Sequence, residues 1–320
     1  MYSLLILFPL FLCAVGQDVP EIDAGVLGKI LGTYATTMPA SRGRTYMQFL
    51  GIKYGEQPVR FMPSELREEL LSEDGVFNAT QYGSRCPQPD ERDTFFEDCL
   101  FLNIFAPNIS EKRHPVLLFI PGAGFTSGGG DWMRGERLLN KDIILVILNH
   151  RLGIHGACNL EIADLAPGNA MLSDTLTALR WIQSFIGYFG GDPNLVTIAG
   201  QSSGGAMTSH ALVSPKFRGL VHRVVAVSGS TLDPSTFSRD HSTAALKVAG
   251  FAGCYDHSLP VNKTQVAICL RDIPHEELSR AQDSYYIDEM KMGTSIGFEA
   301  INPSLQSFMA SDQAIIPQMP

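Results

Sequence analysis

Phe189-Gly190-Gly191-Asp192-Pro193-Asn194-Leu195-Val196-Thr197-Ile198-Ala199-Gly200-Gln201-Ser202-Ser203-Gly204 is the stretch whose reading decides the fold. Leu195 to Ala199 read as a short apolar strand, and they run directly into a G-x-S-x-G turn. A chain that bends this sharply from strand to helix forces its central serine into strained backbone geometry and lifts the Oγ above the sheet edge. Gly200 and Gly204 sit where a Cβ would collide with a neighbouring strand or helix. The N–H of Ser203 opens the following helix and faces an oxyanion formed at Ser202. Five residues of this kind also arise by chance in Gly-rich loops. The strand before them and the small-residue helical segment Gly204–Val213 after them supply the context that makes Ser202 the candidate nucleophile.

Outward from the turn, Cys99–Phe105, Pro115–Ile120, Ile143–Leu148, Leu195–Ala199 and Arg223–Val227 read as strands. Ile143–Leu148 is nearly continuous Ile, Leu and Val, the pattern of a strand buried on both faces. Ser173–Phe185 has helical spacing through Leu176, Leu179 and Ile182, with Asp174 near its start. Strands alternating with helices predict an α/β fold, a mainly parallel sheet with helices on both faces. No internal repeat or low-complexity linker divides the chain, which predicts one domain.

The start of the chain reads as a targeting segment. Leu4–Leu12 is almost wholly apolar and Ala14-Val15-Gly16 has the small-x-small pattern of a cleavage site, so residues 1–16 are expected to be a signal peptide and 17–320 the domain. The apolar run is too short to span a bilayer, and no later window reads as a membrane span. The net charge of −9, with 24 basic and 33 acidic residues and no clustering, argues against nucleic acid as a partner. No pattern points to a metal or an organic cofactor. Of six cysteines, Cys13 falls in the leader; Cys86 and Cys99 flank one short polar loop, and Cys254 and Cys269 flank another. In an exported protein these read as disulfide pairs, leaving Cys158 as a buried thiol. Asn78, Asn108 and Asn262 head N-x-S/T sequons and are candidate glycosylation sites, whereas Pro303 disqualifies Asn302.

The longer pattern resembles the type-B carboxylesterase family, which holds carboxylesterases, cholinesterases and juvenile hormone esterases together with esterase-like adhesion proteins. The resemblance is carried by Tyr46–Tyr54 with Pro58 and Arg60-Phe61, by Glu97-Asp98-Cys99-Leu100-Phe101-Leu102-Asn103, by Asn149-His150-Arg151-Leu152-Gly153, and by Pro167-Gly168-Asn169 and Ala178–Ile182 ahead of the turn. It implies an α/β-hydrolase, here incomplete at its C-terminus, and it supports both disulfide pairings. It places the oxyanion hole in Pro121-Gly122-Ala123-Gly124-Phe125, with the N–H groups of Ala123, Gly124 and Ser203 as donors. Pro121 and Ala123 depart from the family there, Pro121 at a position usually aromatic or histidine and Ala123 at a usual glycine. Gln201 stands where most members carry glutamate, and the Cys86–Cys99 loop has no tryptophan to stack on choline; both argue against cholinesterase activity. The resemblance further implies a salt bridge between Glu97 and Arg151 and structural roles for Asp174 and Ser228. The family's triad runs serine, acid, histidine, with both partners far downstream of the turn. His210, His222, His241, His257 and His275 are expected not to complete it. The expected function is therefore a secreted hydrolase of a small-molecule carboxylic ester, working through an acyl-enzyme on Ser202, with triad acid and histidine missing from these 320 residues. The alternative is a non-catalytic esterase-like binding or adhesion protein of the glutactin or neurotactin kind, with a protein partner.

Overall fold

The computed structural model describes residues 19–39, 43–69, 75–89, 95–107, 113–233, 235–238, 242–292 and 301–318. The signal-peptide reading of residues 1–16, Cys13, Asn108 and His241 lie outside the described residues.

The strands are β1 (Glu21–Asp23), β2 (Lys29–Leu31), β3 (Thr33–Thr36), β4 (Thr45–Lys53), β5 (Val76–Asn78), β6 (Phe101–Ala106), β7 (His114–Ile120), β8 (Ile144–Leu148), β9 (Asn159–Ile162), β10 (Ala166–Pro167), β11 (Gly191–Gln201) and β12 (Arg223–Val227). The helices are α1 (Gly153–Ala157), α2 (Ala170–Phe185), α3 (Ser203–Val213), α4 (Thr243–Phe251), α5 (Lys263–Asp272) and α6 (His275–Met292). Seven strands form the central sheet in the order β12-β11-β7-β8-β6-β4-β3. It is mixed: β12, β11, β7 and β8 run parallel to one another, whereas β6, β4 and β3 pair antiparallel. The parallel half is joined by long crossovers, α2 leading from β8 towards β11 and α3 leading from β11 to β12. In the antiparallel half β3 and β4 are joined by a short link, whereas the parallel pair β7 and β8 is joined by a longer segment with a single 3-10 turn.

Every residue of β8 is buried, which is what a continuous Ile-Leu-Val-Ile-Leu run demands. Ile144, Val146 and Leu148 face the larger core, which receives apolar side chains from all six α-helices. Leu145 and Ile147 face the smaller one with Tyr46, Leu50, Phe105 and Leu139, a face covered by residues 133–139 and their single 3-10 turn. Period-two alternation along β7 (Val116, Leu118 and Ile120 against Leu117 and Phe119) splits its side chains between the same two faces. Trp181 of α2 is fully buried, packed 5.4 Å from Phe185 and 5.9 Å from Phe189.

Two disulfides are formed, Cys86–Cys99 and Cys254–Cys269, and Cys158 is a buried free thiol. Asn78 and Asn262 are exposed. The Asn262 side-chain oxygen Oδ1 caps α5 by accepting from Gln265 N at 3.2 Å. Among the described residues no helix is long and apolar enough to cross a membrane.

Candidate active site

The site is built where β11 ends. Ser202 has φ 57° and ψ −126°, a backbone region that side chains rarely adopt, and α3 begins at the next residue. The strain is held from two sides: Ser202 N donates to Val227 O at 2.8 Å, and Ser202 O accepts from Ala206 N at 3.0 Å. The glycines around it are sterically required. A Cβ on Gly200 would lie 2.2 Å from Gly204 O, and one on Gly204 would lie 2.2 Å from Ile120 O. The helix therefore packs directly onto the ends of β7 and β11, and Ser202, half-buried, stands between them.

The turn after β7 lies against the serine. A Cβ on Gly122 would meet Gln201 O at 2.3 Å and Ser202 Cβ at 3.1 Å. Ala123, Gly124 and Phe125 all have positive φ, at 112°, 63° and 63°. Ala123 O is occupied, accepting from Thr126 N at 3.1 Å and Thr126 Oγ1 at 3.3 Å. The N–H groups of Ala123 and Gly124 make no hydrogen bond among the described residues. Ser203 is the first residue of α3, so its N–H has no acceptor within the helix. Unused donors on two converging segments, one at a helix N-terminus, can bind negative charge that develops beside Ser202 Oγ.

The turn continues into a run of glycines that is clamped on every side. Gly128 N donates to Gln88 Oε1 at 3.0 Å while Gln88 Nε2 donates to Gly128 O at 3.1 Å. Gly130 N donates to Asn149 Oδ1 at 2.7 Å, and Asn149 Nδ2 reaches Ser84 O at 2.8 Å. The Cys86–Cys99 loop and the end of β8 thus hold the donor turn in place. Gln88 and Asn149 were not singled out as site residues from sequence; the only hint is the triple glycine Gly128–Gly130, which leaves backbone groups needing outside partners.

No described histidine is hydrogen-bonded to Ser202. His210 is fully buried towards the end of α3, against Phe237, with both ring nitrogens unpartnered, and burial pushes its pKa down to about 3. His222 Nδ1 accepts from Val196 N at 3.2 Å, His257 packs edge-on to Tyr255, and His275 opens α6 beside Glu276. His150 and His155 are also buried, the first bonded to Arg151 O and the second to Ser279 Oγ; desolvation lowers the pKa of both.

The expected Glu97–Arg151 salt bridge is not formed, and each residue has another partner. Arg151 is clamped by Asp174: Nη2 to Oδ1 at 2.6 Å, and both Nε and the backbone N to Oδ2 at 2.9 Å, at 4% and 0% side-chain exposure. Glu97 takes Arg60 in a two-pronged pair at 2.6 and 2.8 Å. Arg60 also donates to Leu270 O and Ile273 O, which fixes it at the rim where Glu97 lies. Ser228 is exposed at φ 54°, directly after the Val227 carbonyl that holds Ser202. Among the described residues no group of acidic, histidine or cysteine side chains is arranged to hold a metal.

The sheet order and the strand–serine–helix turn at its parallel edge define an α/β-hydrolase. Residues 18–320 match the sequence profile of the carboxylesterase family. The chain is 35% identical over 257 residues to "Juvenile hormone esterase" of Tribolium castaneum, covering 76% of this chain and 42% of that protein. It is 32% identical to "Liver carboxylesterase B-1" of Rattus norvegicus (83% and 49%) and 30% identical to "Esterase FE4" of Myzus persicae (100% and 56%). The chain belongs to the carboxylesterase family. It spans about half the length of the curated relatives it matches.

Proposed function

We propose that this chain carries the nucleophile half of a secreted carboxylic-ester hydrolase. The observation that supports it most directly is Ser202 held at φ 57° and ψ −126° beside the unused N–H groups of Ala123 and Gly124. In this reading Ser202 Oγ attacks the ester carbonyl carbon and gives its proton to a histidine. The carbonyl oxygen becomes an oxyanion held by the N–H groups of Ala123, Gly124 and Ser203. Collapse expels the alcohol, which takes the proton back from the histidine, and leaves an acyl group on Ser202. Water, deprotonated by the same histidine, then releases the carboxylic acid. No described histidine is hydrogen-bonded to Ser202, and in this reading the histidine and its acid come from sequence outside these 320 residues. The relatives, about twice as long, support this. Export is supported by the apolar leader, the two disulfides and the exposed sequons at Asn78 and Asn262.

A second reading has its own observation. Ala123 places a methyl group at φ 112° in the donor turn, a strained backbone conformation at a position whose N–H the hydrolase reading needs. In this reading the chain is a binding or adhesion protein on the same fold. Fluorophosphonate labelling of the native secreted protein separates the two. Hydrolase function predicts stoichiometric labelling that Ser202→Ala abolishes; an antibody-positive, unlabelled protein leaves the adhesion reading standing.

A further inference from the structure

The short helix α1 has acceptors outside itself for its two leading N–H groups. Gly153 N donates to Phe125 O at 2.7 Å, in the turn that carries the candidate oxyanion donors. Ile154 N donates to Gln282 Oε1 at 2.5 Å, a partner on α6, 128 residues later. One short helix thus joins the donor turn to a side chain far away in the sequence.

Gln282 is seated for this contact. It is 2% exposed and lies on the face of α6 that Leu278, Ala281 and Tyr285 bury in the larger core. Its carboxamide fills the space above Gly153: a Cβ there would lie 2.0 Å from Gln282 Oε1 and 2.6 Å from both Cδ and Nε2. Gly153 also has φ 50°, so only a residue without a side chain suits the position. On the same face of α6, Ser279 Oγ lies 3.1 Å from His155 Nε2, a second bond to α1 that includes neither Gly153 nor Ile154.

The donor turn needs such a brace. Ala123, Gly124 and Phe125 hold three successive positive φ angles, two of them on residues with side chains. Ala123 O accepts from Thr126 N at 3.1 Å and closes the turn around Phe125. Anchoring Phe125 O therefore fixes the closed turn, and with it the directions of the Ala123 and Gly124 N–H groups. Ile154 is buried, so a Gln282 variant with no acceptor strands its N–H and loosens the first turn of α1.

Resting on the esterase reading, we propose that Gln282 is a positioning residue for the oxyanion donors. Its carboxamide sets the start of α1, whose Gly153 N–H holds Phe125 O and so aims the N–H groups of Ala123 and Gly124.

The test uses the native secreted protein with 1-naphthyl acetate as substrate, active sites being counted by fluorophosphonate titration. Gln282→Met keeps length and removes the acceptor, whereas Gln282→Glu keeps an acceptor oxygen at the same reach. The kcat per titrated site is expected to fall roughly tenfold in Gln282→Met with KM within about twofold, since the turn acts on the transition state. A trifluoromethyl ketone, whose adduct with the serine carries an oxyanion, is expected to lose the same factor in affinity, and the matching methyl ketone none. Gln282→Glu is expected to recover most of kcat. Gln282→Asn, too short to reach Ile154 N, is expected to behave as Gln282→Met and replaces it where that variant does not fold. Ser279→Ala breaks the other bond from α6 to α1; it is expected to lower the melting temperature yet leave kcat and ketone affinity unchanged. Hydrogen exchange of the Gly153 amide, read by residue-resolved mass spectrometry, is expected to quicken roughly tenfold in Gln282→Met and not in Ser279→Ala. An unchanged kcat in Gln282→Met, an equal loss in Ser279→Ala, or a Gln282→Glu variant no better than Gln282→Met overturns the role of Gln282 and leaves the hydrolase reading. Absence of both labelling and turnover in the wild type overturns the hydrolase reading. The Gly153 exchange then decides by itself whether Gln282 holds the turn: quickened exchange upholds it, and unchanged exchange overturns it.

Discussion

Asp174→Ala is expected to be among the most destabilising single changes in the protein. The carboxylate accepts three hydrogen bonds from Arg151, at 2.6, 2.9 and 2.9 Å, and has no solvent exposure. Its removal leaves a guanidinium buried at 4% exposure whose other acceptors, Met62 O at 2.7 Å and Ala170 O at 3.4 Å, are neutral. An uncompensated buried charge of this kind costs about 3–5 kcal/mol, against a total stability of about 5–15 kcal/mol for a native domain. The structural consequence extends beyond the pair, because Arg151 ties the end of β8 and the segment around Met62 to α2. Urea unfolding followed through the emission of buried Trp181 measures the loss. The same argument predicts two controls. Replacing both partners with apolar residues, Arg151→Met with Asp174→Leu, recovers at least half of the loss, since no charge is then stranded. Glu97→Ala costs only about 1 kcal/mol, because Glu97 is partly exposed and its partner Arg60 keeps two backbone acceptors. A cost for Asp174→Ala below about 1 kcal/mol, or a double replacement as harmful as the single one, refutes the reasoning.

Ala123→Gly relieves a side chain held at φ 112°, worth about 1–3 kcal/mol, against about 0.4–1 kcal/mol for the freer unfolded glycine. The urea midpoint should rise and naphthyl-ester hydrolysis should increase several-fold; a lowered midpoint would show that the turn carries no strain. His210 has a folded pKa of about 3, below its ordinary 6.5, so between those values the unfolded chain binds the extra proton and stability falls as the pH drops. His210→Leu should flatten that decline by about 1.4 kcal/mol per pH unit inside the window and leave the pH dependence above pH 7 unaltered, as read from unfolding midpoints across a pH series.

What could be read from sequence was what local chemistry alone determines. A run such as Ile144–Leu148 has no polar residue to turn towards water, so its double burial follows from composition. The turn at Ser202 was legible because a strand, two glycines and a helix fix one backbone path. Features set by distant partners were not. The reading began α2 at Ser173; it starts at Ala170, because Asn169 adopts a left-handed conformation and bonds both ways with Ser304, 135 residues later. The direction of β6, β4 and β3 depends on how connections cross the sheet, which residue types do not encode. The expected Glu97–Arg151 pair is absent for a similar reason. Glu97 and Arg151 are each flanked by a better-placed partner, Arg60 and Asp174, and a linear pattern carries no distances.

Cys158 gives this molecule an internal clock. It is 1% exposed, burial pushes its thiol pKa upward, and it is the free cysteine among the described residues, the others being paired in disulfides. A thiol reagent therefore finds it only in molecules whose larger core has opened. At high reagent concentration the alkylation rate becomes the opening rate itself, so one mass measurement over time reports how long a molecule stays shut, independent of whether it hydrolyses anything.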